Sequence, residues 1–423
     1  MAQAVDRAID EEIHLLVQAG TGTGKSLGYL APAIAHAVLD DEAVVVATAT
    51  LALQAQLAGK DIPAALTAAE KVLPRRPRAA VLKGRHNHAC LHKVRGGSSR
   101  PDQDMLLDDA DSSAARSDGK GTDQASELGA EVIALRQWAE QQAAENGVGD
   151  RDDAPAHSQQ AWDQVSMRAN ECLGAQNCPF GPQCLAERAR ERARDADIVV
   201  TNHAMLAIDA MNGGTLLPEH DVVVIDEAHE VVDRFTGAAS VDLWPGRLST
   251  VARRGLTWLD DDLGADLLDQ VDVLHEALEA TRPGRITDPR SQLLIATTTL
   301  RGLTRQALSV MSPQDEDEKS DPDRVQAHAA MREVFEITDR VCALRTEDVV
   351  WVSESERGER SVHVAPLSVS GLLRQHVLTT ATTILTSATL KIGGELGPAA
   401  RDVGLSSQEY ICLLYTSPSP RDS

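Results

Sequence analysis

Two kinds of apolar patterning alternate along the chain. Residues 14–18 (HLLVQ), 43–47 (AVVVA), 198–201 (IVVT), 222–225 (VVVI) and 383–385 (TIL) are short, nearly continuous apolar runs. They are too short for helices and mostly β-branched, and they lack the alternation of a half-exposed strand. This predicts strands of a parallel sheet with helices on both faces, an α/β fold. Residues 25–39 (KSLGYLAPAIAHAVL) and 50–57 (TLALQAQL) have apolar positions at helical spacing. A strand, loop and helix are therefore expected around residue 20, and a strand and helix around residue 48.

Two long insertions separate the runs. The first, about 84–195, has a polar Ala/Asp/Ser-rich middle at 96–124 that reads as a flexible loop. The second, about 239–350, has helical periodicity at 263–278, 292–310 and 325–344, with an acidic break at 315–323. It reads as a helical domain, and no repeat of solenoid period occurs.

Composition narrows the class. The 423 residues are 42% hydrophobic and 25% charged, as expected of a folded chain of several domains. No apolar run approaches 18 residues, and the first residues carry acids where a signal peptide would be basic and then apolar, so a cytoplasmic location without membrane contact is expected. A net charge of −23 and 3% aromatic residues argue at first against nucleic acid. The charge is segregated, however. Lys71, Arg75, Arg76, Arg78, Lys83, Arg85, Lys93, Arg95 and Arg100 give +9 with no acid over 71–100, and 101–165 carries −11. Arg188, Arg190, Arg192 and Arg194 follow. If the chain folds back around Cys90 and Cys184, both basic groups are expected to meet on one small domain that grips the phosphates of a single strand.

The glycine-rich turn carries the first chemistry. Ala19, Gly20, Thr21, Gly22, Thr23, Gly24, Lys25 and Ser26 match a phosphate-binding loop with the required strand before it and helix after it. The glycines let backbone N–H groups face phosphate oxygens, Lys25 supplies a charge for the β and γ phosphates, and the Ser26 hydroxyl can ligate Mg2+. The second site is Asp226-Glu227-Ala228-His229, at the end of an apolar run. Asp226 can hold Mg2+ through water, Glu227 can orient and deprotonate the attacking water, and His229 can sense the γ phosphate. Thr48, Thr50 and Gln54 follow the second run, and Ser387 and Thr389 follow the last, where loops of a parallel sheet gather. Singly each could be a turn or cap; together they suggest nucleic-acid contact or coupling.

Four of the six cysteines, Cys90, Cys172, Cys178 and Cys184, fall within 95 residues of one another. Their thiolates could hold a [4Fe-4S] cluster or structural Zn2+, and the absence of paired C-x2-C knuckles favours the cluster. Cys342, alone in a helical stretch, reads as core.

The strings AGTGTGKS, ATATLALQAQL, LKGRHNHAC, ECLGAQNCPFGPQC, DIVVTNHAML, VVVIDEAH and LTSATL, in this order over roughly residues 1–395, resemble the DinG branch of XPD-like superfamily 2 DNA helicases. The resemblance implies an ATP-dependent 5′-to-3′ DNA helicase of repair or replication-stress type, acting as a monomer on single-stranded or forked DNA with ATP, Mg2+ and a [4Fe-4S] cluster. It marks Asn202 and His203 as a hallmark before the DEAH box and brings Arg85 into the set for DNA contact or coupling. The implied organisation is a RecA-like motor domain at 1–83, 196–238 and 351–412, interrupted by an iron-sulfur domain at 84–195 and a helical arch at 239–350.

Two departures shape the expectation. Only 33 residues follow Leu390, without the arginine-bearing helix of a second RecA-like domain, so that domain is expected to be absent. The adenine-reading segment of the family is expected before Met1. Residues 413–423 (LLYTSPSPRDS) resemble read-through of sequencing adapter and are set apart from the fold as a non-native tail. A fragment of this kind is expected to unwind little. The competing reading is an iron-sulfur nucleic-acid-binding module without motor activity.

Overall fold

The computed structural model describes residues 1–20, 22–96, 121–312 and 321–415. The expected loop at 96–124 and the acidic break at 315–323 fall largely outside them. What is described of each already belongs to helices: Gly121 opens helix Gly121–Ala144, and Asp321 caps helix Pro322–Ala343.

The strands, in chain order, are β1 (His14–Ala19), β2 (Val44–Thr48), β3 (Ala79–Val81), β4 (Ile198–Asn202), β5 (Val222–Asp226), β6 (Val241–Leu243), β7 (Gly284–Arg285), β8 (Asp348–Glu354), β9 (Arg360–Pro366), β10 (Thr382–Ser387) and β11 (Tyr410–Tyr415). The chain divides into two compact units, Met1–Lys83 with Ala189–Ser240 and Pro366–Ser423, and Gly84–Arg188 with Val241–Ala365.

The first unit is built on a seven-stranded sheet of order β11-β1-β10-β5-β2-β4-β3, parallel at every pairing. All five anticipated runs lie in it. Successive side chains point to opposite faces, so the apolar runs fill two cores. Leu15, Val17, Val44, Val46, Val222 and Val224 pack on one side with Tyr29, Leu30 and Ile34 of helix Lys25–Leu39. Leu16, Val45, Val199, Val223, Ile225 and Leu385 pack on the other with Leu206 and Phe235. Two strands were not anticipated. β3 is three residues long, with Ala79 exposed and Ala80 and Val81 half-buried. β11 pairs with β1 over six positions, from His14 with Tyr410 to Ala19 with Tyr415. Residues 413–415, expected to stand apart from the fold with the rest of 413–423, therefore pair within the sheet, and 416–423 lie outside the described residues. The segment is aromatic and apolar throughout, and exposure alternates over 411–414 as an edge strand's does.

The second unit has two cores. Trp162, fully buried and donating from Nε1 to the His86 carbonyl at 2.8 Å, centres one together with Leu91, Leu135, Ala139 and Leu185. The other joins helices Pro245–Gly255, Asp261–Ala280, Gln292–Met311 and Pro322–Ala343 to a sheet of order β6-β9-β8-β7. Asp260 and Ser291 cap the second and third of these helices through their side chains. Because β8 and β9 complete this core, the chain leaves the second unit at 366 rather than at 351. The cysteine-bearing and helical segments, expected as separate domains, pack as one unit: Asn170 donates to Glu333 at 2.6 Å, and Arg254 lies 3.7 Å from Glu171.

Candidate functional site

The sheet order creates the site. β10 lies between β1 and β5, so the carboxyl ends of these three strands present residues 19–20 and 22–26, Ser387 and Asp226–Glu227 side by side. Gly22 and Gly24 have φ of 75° and 78°, and a Cβ built on either would meet nothing within 4 Å. Thr23 Oγ1 donates to the Gly20 carbonyl at 2.7 Å and braces the turn. Helix Lys25–Leu39 starts without any side-chain cap, leaving its first N–H groups for an anion. Ala19 is the buried last residue of β1, and Thr21 lies outside the described residues.

A relay crosses the three strand ends. Lys25 Nζ donates to Glu227 Oε1 at 2.7 Å, Ser387 Oγ donates to Glu227 Oε2 at 3.3 Å, and His229 Nδ1 lies 2.8 Å from Ser387 Oγ. Thr389 enters through its backbone N–H, which donates to Ser387 Oγ at 3.2 Å. Glu227 has φ 53°, ψ 46°, a left-handed conformation that costs a non-glycine residue about 1 kcal/mol or more. Tyr29, which sequence reasoning missed, donates its hydroxyl to Asp226 Oδ2 at 3.1 Å and also bonds Ser26. Its only sequence signal is its place one turn beyond Ser26. Burial raises the Asp226 carboxyl above the ordinary aspartate range, against the pull of Lys25. Burial and then Asp226 push the Tyr29 phenol well above its usual value, which keeps it a proton donor.

The remaining candidates at this sheet edge divide. Thr50 and Asn202 cap helices, accepting from the N–H of Leu53 at 3.2 Å and of Met205 at 2.8 Å. Thr48 Oγ1 donates to the Thr50 carbonyl at 3.2 Å. Gln54 and His203, expected to touch nucleic acid or couple to it, are both 0% exposed. Gln54 Nε2 donates to the carbonyls of Leu82 and Val200 at 3.2 and 3.0 Å, ties the β3 end of the sheet to β4, and cannot reach a strand of DNA. His203 Nε2 lies 2.8 Å from the Asp226 carbonyl, so it props the DEAH turn from beneath. Burial lowers its pKa to about 4.

In the second unit the four clustered cysteines are free thiols. Cys90 Sγ accepts from the backbone N–H groups of His92 and Lys93, Cys178 from that of Phe180, and Cys172 from that of Gly174 at 3.5 Å. Cys90 and Cys178 each lie within electrostatic reach of Cys172 and Cys184. Burial raises the Cys90 and Cys178 thiols above the ordinary value. Arg85 reaches Cys172 and Cys184 electrostatically and pairs with Glu187; it is turned inward rather than toward a ligand strand. Among the described residues, no group of three or more His, Cys, Asp or Glu side chains converges closely enough to hold a metal ion. Gly181, between Cys178 and Cys184, was also missed: a Cβ there would lie 1.9 Å from the Ala175 carbonyl oxygen.

The basic block does not gather on one domain. Lys71–Lys83 belongs to the first unit and Arg85–Arg95 to the second. Much of its charge is spent internally: Arg75 pairs with Asp41 and Asp197, and Arg95 binds Glu140 through two bonds of 2.8 and 2.7 Å. Arg100 lies outside the described residues.

No family model matches the chain. It is 40% identical over 423 residues to the ATP-dependent helicase DinG of Mycobacterium tuberculosis (strain ATCC 25618 / H37Rv), covering 96% of this chain and 61% of that protein. It is 35% identical to the ATP-dependent DNA helicase YoaA of Escherichia coli (strain K12) over 237 residues, 55% of this chain and 32% of the relative. Its fold is similar to a solved structure titled truncated XPD, with TM-score 0.53, 14% identity and 99% of both chains covered. A structure titled XPD helicase gives TM-score 0.54 at 13% identity, over 98% of this chain and 61% of that one. The chain spans about three-fifths of the length of the DinG relatives. Among the described residues no helix is long and apolar enough to cross a membrane.

Proposed function

We propose, for a chain that is a homologue of the DinG-type, XPD-like superfamily 2 helicases, that it carries the nucleotide-hydrolysing half of an ATP-dependent DNA helicase that moves 5′ to 3′ on single-stranded DNA. The observation that carries this reading is the relay Lys25–Glu227–Ser387–His229 across the ends of three adjacent parallel strands.

The residues divide the work. The uncapped helix N-terminus and the open glycines receive the phosphates, with Lys25 as their counter-charge. Ser26 and Asp226, joined through Tyr29, form the acidic and hydroxylic wall that would hold Mg2+, which supplies charge neutralisation on the phosphates. Glu227 is the general base. Its pairing with Lys25 suppresses that role, because Oε1 is occupied by the ammonium and not by a water. Phosphate oxygens compete for Lys25, so Glu227 is freed for water when the site fills. Ser387 and His229 then pass the change in Glu227 to the loop after β10.

Cys90, Cys172, Cys178 and Cys184 are assigned to a [4Fe-4S] cluster, which would bind the two segments of this lobe covalently. The reading is supported by four free thiols, of which Cys90 and Cys178 each lie within electrostatic reach of Cys172 and Cys184, and by backbone N–H donors aimed at three of the sulfurs, which would steady thiolate ligands.

The test is ATP hydrolysis with and without single-stranded DNA. Lys25→Ala should weaken nucleotide binding, and Glu227→Gln should keep binding but lower turnover by about 100-fold or more. Turnover left intact in both variants would sink the assignment.

A further inference from the structure

The small sheet of the second unit has one face in a core and one that the proposed motor does not use. Val350 and Val352 of β8, Val362 and Val364 of β9, and Leu243 of β6 are buried. Side chains alternate along a strand, so Trp351, Ser353, Ser361, His363 and Asp242 share the opposite face. Register sets Asp242 directly across from His363 and Arg285 directly across from Trp351. With β9 beside β8, these make a row over all four strands: Asp242, His363, Trp351, Arg285.

The middle of the row is aromatic and fixed. The Trp351 and His363 rings are stacked, with centroids 5.0 Å apart and planes 12° apart. His363 Nε2 lies 2.7 Å from Ser353 Oγ and 2.8 Å from Ser361 Oγ, which holds the imidazole in orientation. Burial lowers the His363 pKa, so at neutral pH the ring is an uncharged stacking partner.

The β7 edge of the row is cationic. Arg285 lies in β7 and Arg282 shortly before it; both are exposed, and among the described residues neither forms an ion pair. Neighbouring arginines are already occupied: Arg360 lies 2.9 Å from Glu354, and Arg340 lies 2.6 Å from Asp348. The carboxylate of the row, Asp242, stands on the far side of the aromatic pair. An aromatic step beside unpaired guanidiniums is the pairing that single-stranded nucleic acid requires, a ring for the base and cations for the phosphates. The basic block at 71–100 has lost much of that capacity to internal ion pairs.

We propose that this face is a second contact for single-stranded DNA, in which a base stacks on the Trp351–His363 step and the adjoining phosphates meet Arg285 of β7 and Arg282 just before it. The inference rests on the nucleic-acid reading above and adds a site to it.

The experiment uses the full chain and a fluorescein-labelled oligo(dT) of 20 nucleotides, read by anisotropy over a salt series, with a 5-bromodeoxyuridine version for photocrosslinking. Trp351→Ala should weaken binding about 10-fold while Trp351→Phe stays within about 2-fold, since stacking needs a ring and not an indole. Arg285→Ala should lower the salt slope by about 0.7, and Arg285→Lys should restore it. The crosslink should map to peptides holding residues 351 or 363 of the wild-type chain. Wild-type binding with all four variants unchanged and the crosslink elsewhere would overturn this site alone. No binding of the oligonucleotide by the wild-type chain would overturn the nucleic-acid reading as well.

Discussion

At the scale of single residues, the candidate site depends on side chains buried without charge. His203 sits beneath the DEAH turn with its Nε2 on the Asp226 carbonyl, and burial holds its pKa at about 4 against about 6.5 in an unfolded chain. The folded state therefore takes up this proton only near pH 4, while the unfolded state takes it up near pH 6.5. The stability that accompanies a neutral His203 is complete above the unfolded value and is lost as pH falls toward the folded one. Between pH 7 and pH 5 the chain should lose on the order of 1–2 kcal/mol from this residue. Urea midpoints measured at the two pH values should fall further for the wild type than for His203→Asn. Equal falls would place the acid sensitivity elsewhere.

At the scale of elements, two short connections position chemistry without carrying it. Gln54 reads in sequence as one of several polar residues after β2, yet its side chain is the bracket between the β3 end of the sheet and β4. Nothing in the local pattern distinguishes an inward Gln from an outward one. Gly181 is similar: the turn between Cys178 and Cys184 passes so close to Ala175 that only a hydrogen fits. Gly181→Ala should displace that turn and its two thiols. Anaerobically purified wild-type chain should be coloured by the cluster, and the variant should lose most of the visible absorbance while ATP still binds the first unit. Colourless wild-type protein with stoichiometric zinc would replace the cluster by a structural zinc site. Absorbance unchanged in the variant would show that the turn does not set the thiols.

At the scale of the whole molecule, the sheet of the first unit ends in β11, and β1 is flanked by it on one side and β10 on the other. Ile411 and Leu413 pack against one core and Tyr410 against the other. Ending the chain at Glu409 should bare the edge of the strand that leads into the phosphate-binding loop. A stability loss on the order of 2–4 kcal/mol is expected from the lost burial and ladder hydrogen bonds. An exposed edge also invites self-association. Thermal unfolding and light scattering of the shortened chain measure both, and an unchanged midpoint would mean that β11 contributes nothing to the sheet.

The amino-acid sequence determined the local elements by itself. Short, isolated, largely β-branched apolar runs favour strands covered on both faces, and three helices of the second unit run within a few residues of their periodic patterns. The phosphate-binding turn and the acidic strand end were legible because their chemistry depends on consecutive residues. Tertiary structure decided what depends on neighbours distant in the chain. It placed β10 between β1 and β5, and so brought Lys25 to Glu227 and Ser387 across more than 150 residues. It divided a continuous basic block between two units and paired much of it with acids, and it gave residues 413–415 a place beside β1. The physical reason is that backbone propensity and side-chain alternation act within a few residues, whereas strand order, burial of a polar side chain and ion pairing are settled by which surfaces meet when the sheet closes.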